Sequence, residues 1–231
     1  MLKQFLLAVM GGIMISIGGC VYLNSSNSIP LFGAAVGAFF FSVALVSICY
    51  KGYGLFTGRV GYLPLNPTAA EAAGLGMTLL GNFAATTIVG LAVSLTMEST
   101  IGSVAYEATV TKLAAPWYTT LLRAILCGVL MYLAVSIYRE KHTIAGILFC
   151  VPAFILAGFE HSIADMFYLA ASGMRDLSML WFLLLVIVGN AIGGMLLPLI
   201  TLLTEDPPEA TEAAEETAES EENAVTSEVA E

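Results

Sequence analysis

Six long apolar runs occupy most of this chain, and they constrain its fold more than any other feature. An α-helix needs about 20 apolar residues to cross the hydrocarbon core of a bilayer. Polar or turn-forming segments, including the stretch from Met97 to Ala114, separate the runs. The runs cover residues 4–23, 30–50, 74–97, 115–138, 143–171 and 177–203. The sequence therefore predicts an all-α, polytopic membrane protein with six transmembrane helices.

The charged residues are concentrated at the C-terminal end. The whole chain carries a formal net charge of −10, yet residues 205–231 hold 11 of its 18 acidic residues and no Lys or Arg. This segment has no aromatic residue and too little aliphatic bulk to offset the entropy lost on folding. We therefore expect a six-span transmembrane domain over residues 1–204 and a disordered acidic tail over residues 205–231.

The basic residues of the short loops set the expected orientation. Cytoplasmic loops of membrane proteins carry an excess of Lys and Arg. A cytoplasmic N-terminus puts four of the countable basic residues inside and two outside. The inner four are Lys3, Arg59, Arg139 and Lys141, and the outer two are Lys112 and Arg175. The sequence thus predicts a multi-pass protein of the inner (plasma) membrane with both termini in the cytoplasm.

Two of the apolar runs are interrupted at matching places. The second ends in a Gly-rich stretch, YKGYGLFTGRVGYLP (50–64), and GFEHS (158–162) breaks the fifth. A span containing Gly-Asn follows each break, 24 residues after Thr57 and 28 residues after His161. This pattern predicts an inverted 3+3 repeat whose broken helices 2 and 5 meet at a solute site. Chance is the alternative, because Gly is common in membrane helices.

The two breaks supply a candidate centre for handling anions. Non-helical backbone at membrane depth is buried in protein or lines a water-filled cavity, and joining the two breaks would bring Thr57 close to His161. A His that gives a proton to a weak-acid anion makes it neutral, so that it crosses a dry constriction at far lower cost. A histidine bonded to a backbone carbonyl is the structural alternative. The dry walls are assigned to Leu55, Phe56, Phe154 and Phe159.

Two charged residues near this centre, Glu160 and Lys112, each have two interpretations. Glu160 would repel an anion if it faced the path, so we expect it to face away and to accept hydrogen bonds from freed backbone N–H groups. Tuning of His161 is its second interpretation. Lys112 precedes the fourth span on the expected outer side, where it would gather anions. An ordinary lysine reaching toward lipid headgroups is the alternative.

At GFEHSIADMF (158–167) and GLFTG (54–58), the chain resembles the formate/nitrite transporter family. The resemblance extends over residues 1–204 and implies an aquaporin-like protomer in a homopentamer, with one anion path per protomer. It implies small monovalent weak-acid anions as substrates: formate, nitrite, hydrosulfide and, in some members, acetate or lactate. By the same resemblance, the central histidine falls on His161, the loop threonine on Thr57 and the vestibule lysine on Lys112. The inner constriction falls on Leu55, Phe56 and Phe154.

Three positions depart from that family. Gly54 stands where the family usually has an acid before LFTG, Gly128 stands where it usually has Asn, and Lys51 is unexpected within the second break. These departures do not change the roles that the resemblance implies for His161, Thr57 and Lys112. They leave open the choice of anion and the packing around the first loop.

Other classes of protein fit the sequence less well. An aquaporin-like pore for neutral solutes normally carries two Asn-Pro-Ala caps, whereas this chain has only Asn66-Pro67 followed by Thr68. A membrane enzyme would need a nucleophile or metal set beside Glu160 and His161, so we expect no catalysis, no cofactor and no metal. A purely structural protein leaves the paired breaks unexplained, and no nucleic-acid partner is expected. Formate, nitrite and hydrosulfide remain open as substrates, as do passive flow and symport with protons.

Overall fold

The computed structural model describes residues 1–204, which fold as nine α-helices with short connections. The helices are α1 (Leu2–Ser28), α2 (Gly33–Lys51), α3 (Phe56–Arg59), α4 (Ala69–Thr96), α5 (Ser103–Leu113), α6 (Trp117–Lys141), α7 (Ala145–Leu156), α8 (Ser162–Ala171) and α9 (Ser178–Thr204). Residues Met1–Leu199 form one compact unit, and a second unit begins at Ile200. The predicted acidic tail, 205–231, lies outside the described residues.

The long helices correspond to the apolar runs of the sequence. Five of them, α1, α2, α4, α6 and α9, are long and apolar enough to cross a membrane. The remaining predicted run, 143–171, is divided between the shorter helices α7 and α8. Non-helical backbone that includes residues 158–161 of the GFEHS motif separates this pair.

The stretch between α4 and α6 differs from the sequence-based expectation. It was expected to act as a separator, but it contains a π-helical turn, Glu98–Gly102, followed by the eleven residues of α5. Ala105 and Thr109 are one helical turn apart on one face of α5, and both are completely buried. This small face packs against α8, and the packing stabilises a helix too short to be stable alone.

Small residues allow the long helices to approach closely. The same kind of glycine–alanine contact occurs at two places in the fold. A Cβ atom on Gly81 of α4 would lie 2.7 Å from Ala8 Cβ of α1. A Cβ atom on Gly189 of α9 would lie 2.5 Å from Ala124 Cβ of α6. The packing of α1 on α4 therefore recurs between α6 and α9, as expected for a chain built from two three-span repeats.

Candidate functional site

A buried asparagine holds the interrupted backbone that follows α2. The side-chain Oδ1 of Asn82 accepts a hydrogen bond from Phe56 N at 3.0 Å. Its Nδ2 donates to the carbonyl oxygen of Gly54 at 2.9 Å and to that of Ala8 in α1 at 2.7 Å. Backbone that leaves a helix inside a membrane must find such partners. Asn82 supplies them from α4 and joins three segments of chain.

A second asparagine makes the same three bonds to the other interruption. Asn190 Oδ1 accepts from Ser162 N at 2.8 Å, while Nδ2 donates to the carbonyl oxygens of Glu160 and Ala124, each at 2.8 Å. Gly54 and Phe56 in the first half therefore occupy positions equivalent to those of Glu160 and Ser162 in the second half. The central residue between each pair is Leu55 in the first half and His161 in the second.

These bonds fix which residues of the two breaks are equivalent. The sequence predicted that the breaks meet and that Thr57 lies close to His161, but it did not identify the residue equivalent to His161. The hydrogen bonds identify it as Leu55. Leu55 and His161 are the N-cap residues of α3 and α8 respectively, and both have extended backbone. Each half therefore presents one side chain from an equivalent position at the start of a short helix.

His161 contacts Thr57 from across the molecule. Thr57 Oγ1 lies 2.9 Å from His161 Nε2, and both side chains are buried. His161 Nδ1 accepts a hydrogen bond from Ala164 N at 3.1 Å. Because Nδ1 is an acceptor, the neutral ring carries its proton on Nε2 and donates it to Thr57 Oγ1. The hydroxyl hydrogen of Thr57 then remains available for another acceptor.

Aromatic and aliphatic side chains surround the imidazole. The Phe154 ring stacks on His161, with centroids 5.5 Å apart and planes 15° apart, and Phe41 packs edge-on against Phe154. Leu55, Phe56 and Phe154 are buried, whereas Phe159 is partly buried. An unpaired ion loses much of its hydration in such surroundings, so the side chains assigned as dry walls make the centre unfavourable for a free anion.

Glu160 does not have the environment that the sequence suggested. It was expected to accept hydrogen bonds from freed backbone N–H groups, but its carboxylate contacts Lys112 Nζ of α5. Lys112 Nζ also lies 2.9 Å from Oδ1 of Asp165. Both acidic side chains are buried. The expected backbone partners were wrong because α5, which was not predicted as a helix, brings a cation to the carboxylate.

Two cavities approach the centre. The His161 cavity has a volume of 140 Å³, and its lining includes Lys112, Phe154, Phe159 and Asp165 as well as the histidine. The Leu55 cavity has a volume of 300 Å³. Besides Leu55 its lining includes Ile48, Gly58, Val135, Arg59 and Arg139. His161 and Leu55, the equivalent residues of the two halves, thus each border a different cavity.

Three polar residues have roles that were not predicted from the sequence. Asn82 and Asn190 were noted only as parts of Gly-Asn pairs, and Asp165 was given no role. The available signal was the same for all three: a polar side chain within an otherwise apolar segment, where it needs a partner. Gly128, a departure from the family pattern, packs so closely on α9 that a Cβ atom would lie 2.8 Å from Gly194 N. Lys51 is the exposed last residue of α2.

The family model and the relatives that resemble this chain are described as formate or nitrite transporters. A family model described as "Formate/nitrite transporter" matches residues 1–204. The nitrite transporter NirC of Escherichia coli (strain K12) is 29% identical over 173 residues, with 67% of this chain and 65% of that protein covered. A probable formate transporter of Methanothermobacter thermautotrophicus is 27% identical, with coverage of 83% and 84%. The chain thus spans slightly less than two thirds of the NirC relative.

Solved structures share the fold. A structure described as an "FNT family ion channel" superposes with a TM-score of 0.77 at 26% identity, covering 89% of this chain and 91% of that chain. A second, described as a "pentameric formate channel with formate bound", has a TM-score of 0.70 at 21% identity. It covers 87% of this chain and 95% of its own.

Proposed function

The chain belongs to the formate/nitrite transporter family, and from that premise we propose that it conducts small monovalent weak-acid anions, with His161 handling the proton. Formate and nitrite are the favoured substrates, because the relatives are described as nitrite and formate transporters. Hydrosulfide is an alternative of the same chemical class. The protein acts as a channel or transporter and not as an enzyme.

One observation carries this proposal: the contact of 2.9 Å between Thr57 Oγ1 and His161 Nε2 beneath the Phe154 ring. An anion in the His161 cavity can accept a hydrogen bond from this centre. When the imidazole has taken up a second proton from water, transfer of one proton to the anion makes the anion neutral and returns the ring to its neutral form. The neutral acid then passes the dry walls toward the Leu55 cavity at lower cost. The Thr57 hydroxyl keeps the ring oriented during this exchange. Lys112 lines the His161 cavity, where it is paired with Glu160 and Asp165.

The surroundings of the protein follow from the same reasoning. We place it in the inner (plasma) membrane with both termini in the cytoplasm, because the loop Lys and Arg residues favour that orientation. One structural relative is a pentameric channel, so we propose a homopentamer with one path in each protomer. Protons and the lipid bilayer complete the list of partners.

The test is uptake of formate, nitrite and hydrosulfide into proteoliposomes at two pH values. Wild type and His161→Ala are compared, with His142→Ala as the matched control, since His142 is exposed at the end of α6. We expect wild type and the control to transport one of these anions with a pH dependence that His161→Ala loses. Flow of water or glycerol without any anion would instead support a neutral-solute pore.

A further inference from the structure

A cluster of three ionisable side chains, in which both acids are buried, borders the His161 cavity and has more acids than bases. Lys112 contacts the Glu160 carboxylate and lies 2.9 Å from Asp165 Oδ1. The side chains of Glu160 and Asp165 are 2% and 1% exposed. If all three groups were ionised, the cluster would carry a net formal charge of −1. That charge would repel an anion from the cavity in which the proposed function requires one.

One atom of the cluster is left without a partner. Asp165 Oδ2 is buried and makes no hydrogen bond, although Asp165 lines the His161 cavity. A buried, ionised oxygen without a donor is costly. Two carboxyl groups that share a dry site with one cation do not both ionise. A single proton removes the excess negative charge, and Oδ2 is the oxygen of Asp165 that Lys112 leaves free.

We propose that Asp165 is a protonated carboxylic acid that donates its Oδ2 hydrogen to the transported anion in the His161 cavity. This inference rests on the proposed function for the identity of its ligand, a small weak-acid anion. The proton stays on Asp165 while the anion is bound, so the residue positions and selects the anion, and His161 remains the group that exchanges a proton with it. The cluster is then neutral, and the cavity presents a hydrogen-bond donor.

The proposal makes anion binding sensitive to alkaline pH. When Asp165 loses its proton, the donor disappears and the cluster becomes net negative, so anion affinity falls. Besides the cluster and His161, other titratable groups lie close to Asp165 on three helices. These groups are Tyr22 of α1, Cys127 of α6 and Tyr168 of α8.

The variant Asp165→Asn separates ionisation from hydrogen bonding. An amide has the size of the protonated carboxyl group, can turn its oxygen toward Lys112, and offers a permanent N–H donor at the other position. We expect the full-length variant to bind formate with an affinity similar to that of wild type at acid pH. It should retain that affinity at alkaline pH, where the affinity of wild type falls by about tenfold or more, equivalent to the loss of one hydrogen bond.

The test combines infrared difference spectroscopy with titration by sodium formate, using the full-length protein in proteoliposomes. Isotopic labelling of the aspartate side-chain carboxyl carbon distinguishes Asp from Glu without a mutation. The chain contains only two other aspartates, Asp176 and Asp206, and Asp176→Asn is the matched control. We expect a protonated aspartic acid band in wild type and in the control. This band should shift when formate is added and should be absent from Asp165→Asn.

Each other outcome has a defined meaning. The proposal is wrong if labelled wild type shows no protonated aspartic acid, if formate leaves the band unchanged, or if Asp165→Asn keeps the alkaline fall in affinity. Should Asp165→Asn fail to fold, the labelled wild-type spectra still decide the matter. A formate-sensitive band in a protein that transports no anion would contradict the proposed function and leave Asp165 as a binding residue.

Discussion

The side-chain amide of Asn190 donates a hydrogen bond to the main-chain oxygen of Glu160 at 2.8 Å, and this bond fixes the carbonyl group immediately before His161. The same side chain also accepts from Ser162 N and donates to Ala124 O. Replacement by alanine would leave two buried main-chain groups at the break unpaired, Glu160 O and Ser162 N, whereas Ala124 O keeps its bond within α6.

We expect Asn190→Ala to destabilise the protein by about 2 kcal/mol or more, because each buried group that loses its partner costs about 1–3 kcal/mol. Thermal unfolding of the purified protein, followed by tryptophan fluorescence, measures the change. Asn66→Ala is the control, since Asn66 is exposed in the loop before α4. A melting temperature of Asn190→Ala equal to that of wild type would show that the amide is not needed to hold the break.

The hydroxyl group of Thr57 provides a second prediction. Thr57→Val keeps the shape of the side chain but cannot accept the Nε2 hydrogen of His161, so the ring loses its partner. We expect formate uptake to fall about tenfold, which corresponds to the loss of a hydrogen bond worth about 1.4 kcal/mol. Thr57→Ser retains the hydroxyl and should keep most of the activity. Equal uptake by the Val and Ser variants would exclude a role for the hydroxyl.

The packing at Gly128 gives a test of stability at the contact between α6 and α9, where a Cβ atom would meet the main-chain oxygen of Asn190 first. A Cβ atom there would lie 2.8 Å from Gly194 N of α9, whereas a Cβ atom on Gly76 would meet nothing within 4 Å. We expect Gly128→Ala to lower stability by about 1–3 kcal/mol, as overpacking does. Gly76→Ala should raise it by roughly 0.5–1 kcal/mol through helix propensity. Thermal unfolding of both variants checks the opposite signs.

Replacement of Phe154 tests whether its ring makes the path selective for anions that can be protonated. Its ring stacks on His161 and lines the His161 cavity, so Phe154→Ala opens the dry wall to water. We expect wild type to exclude chloride, because chloride does not accept a proton at neutral pH, and we expect the variant to pass it. Chloride flux into proteoliposomes measures this, with Phe39→Ala as control, since Phe39 is half exposed on α2. A variant that still excludes chloride would show that another residue forms the barrier.

The sequence predicts the helices better than the centre, and particular residues show why. Runs of about 20 apolar residues reveal transmembrane helices because hydropathy is a local property. The contact of Lys112 with Glu160 joins residues that are 48 positions apart. It depends on how α5 packs against α8, which no local pattern reports. The register of the two repeats was likewise decided by the bonds of Asn82 and Asn190, which connect distant segments of chain.

The paired asparagines also bear on how such a channel can acquire new properties by mutation during evolution. Both bind main-chain atoms only, so neither depends on which side chains occupy positions 55 and 161. A mutation at either position alters what faces a cavity while leaving the bonds made by the two asparagines intact. The two halves illustrate this independence, since one displays an aliphatic group and the other an imidazole on the same support. New permeation properties can therefore arise by single substitutions without first rebuilding the scaffold.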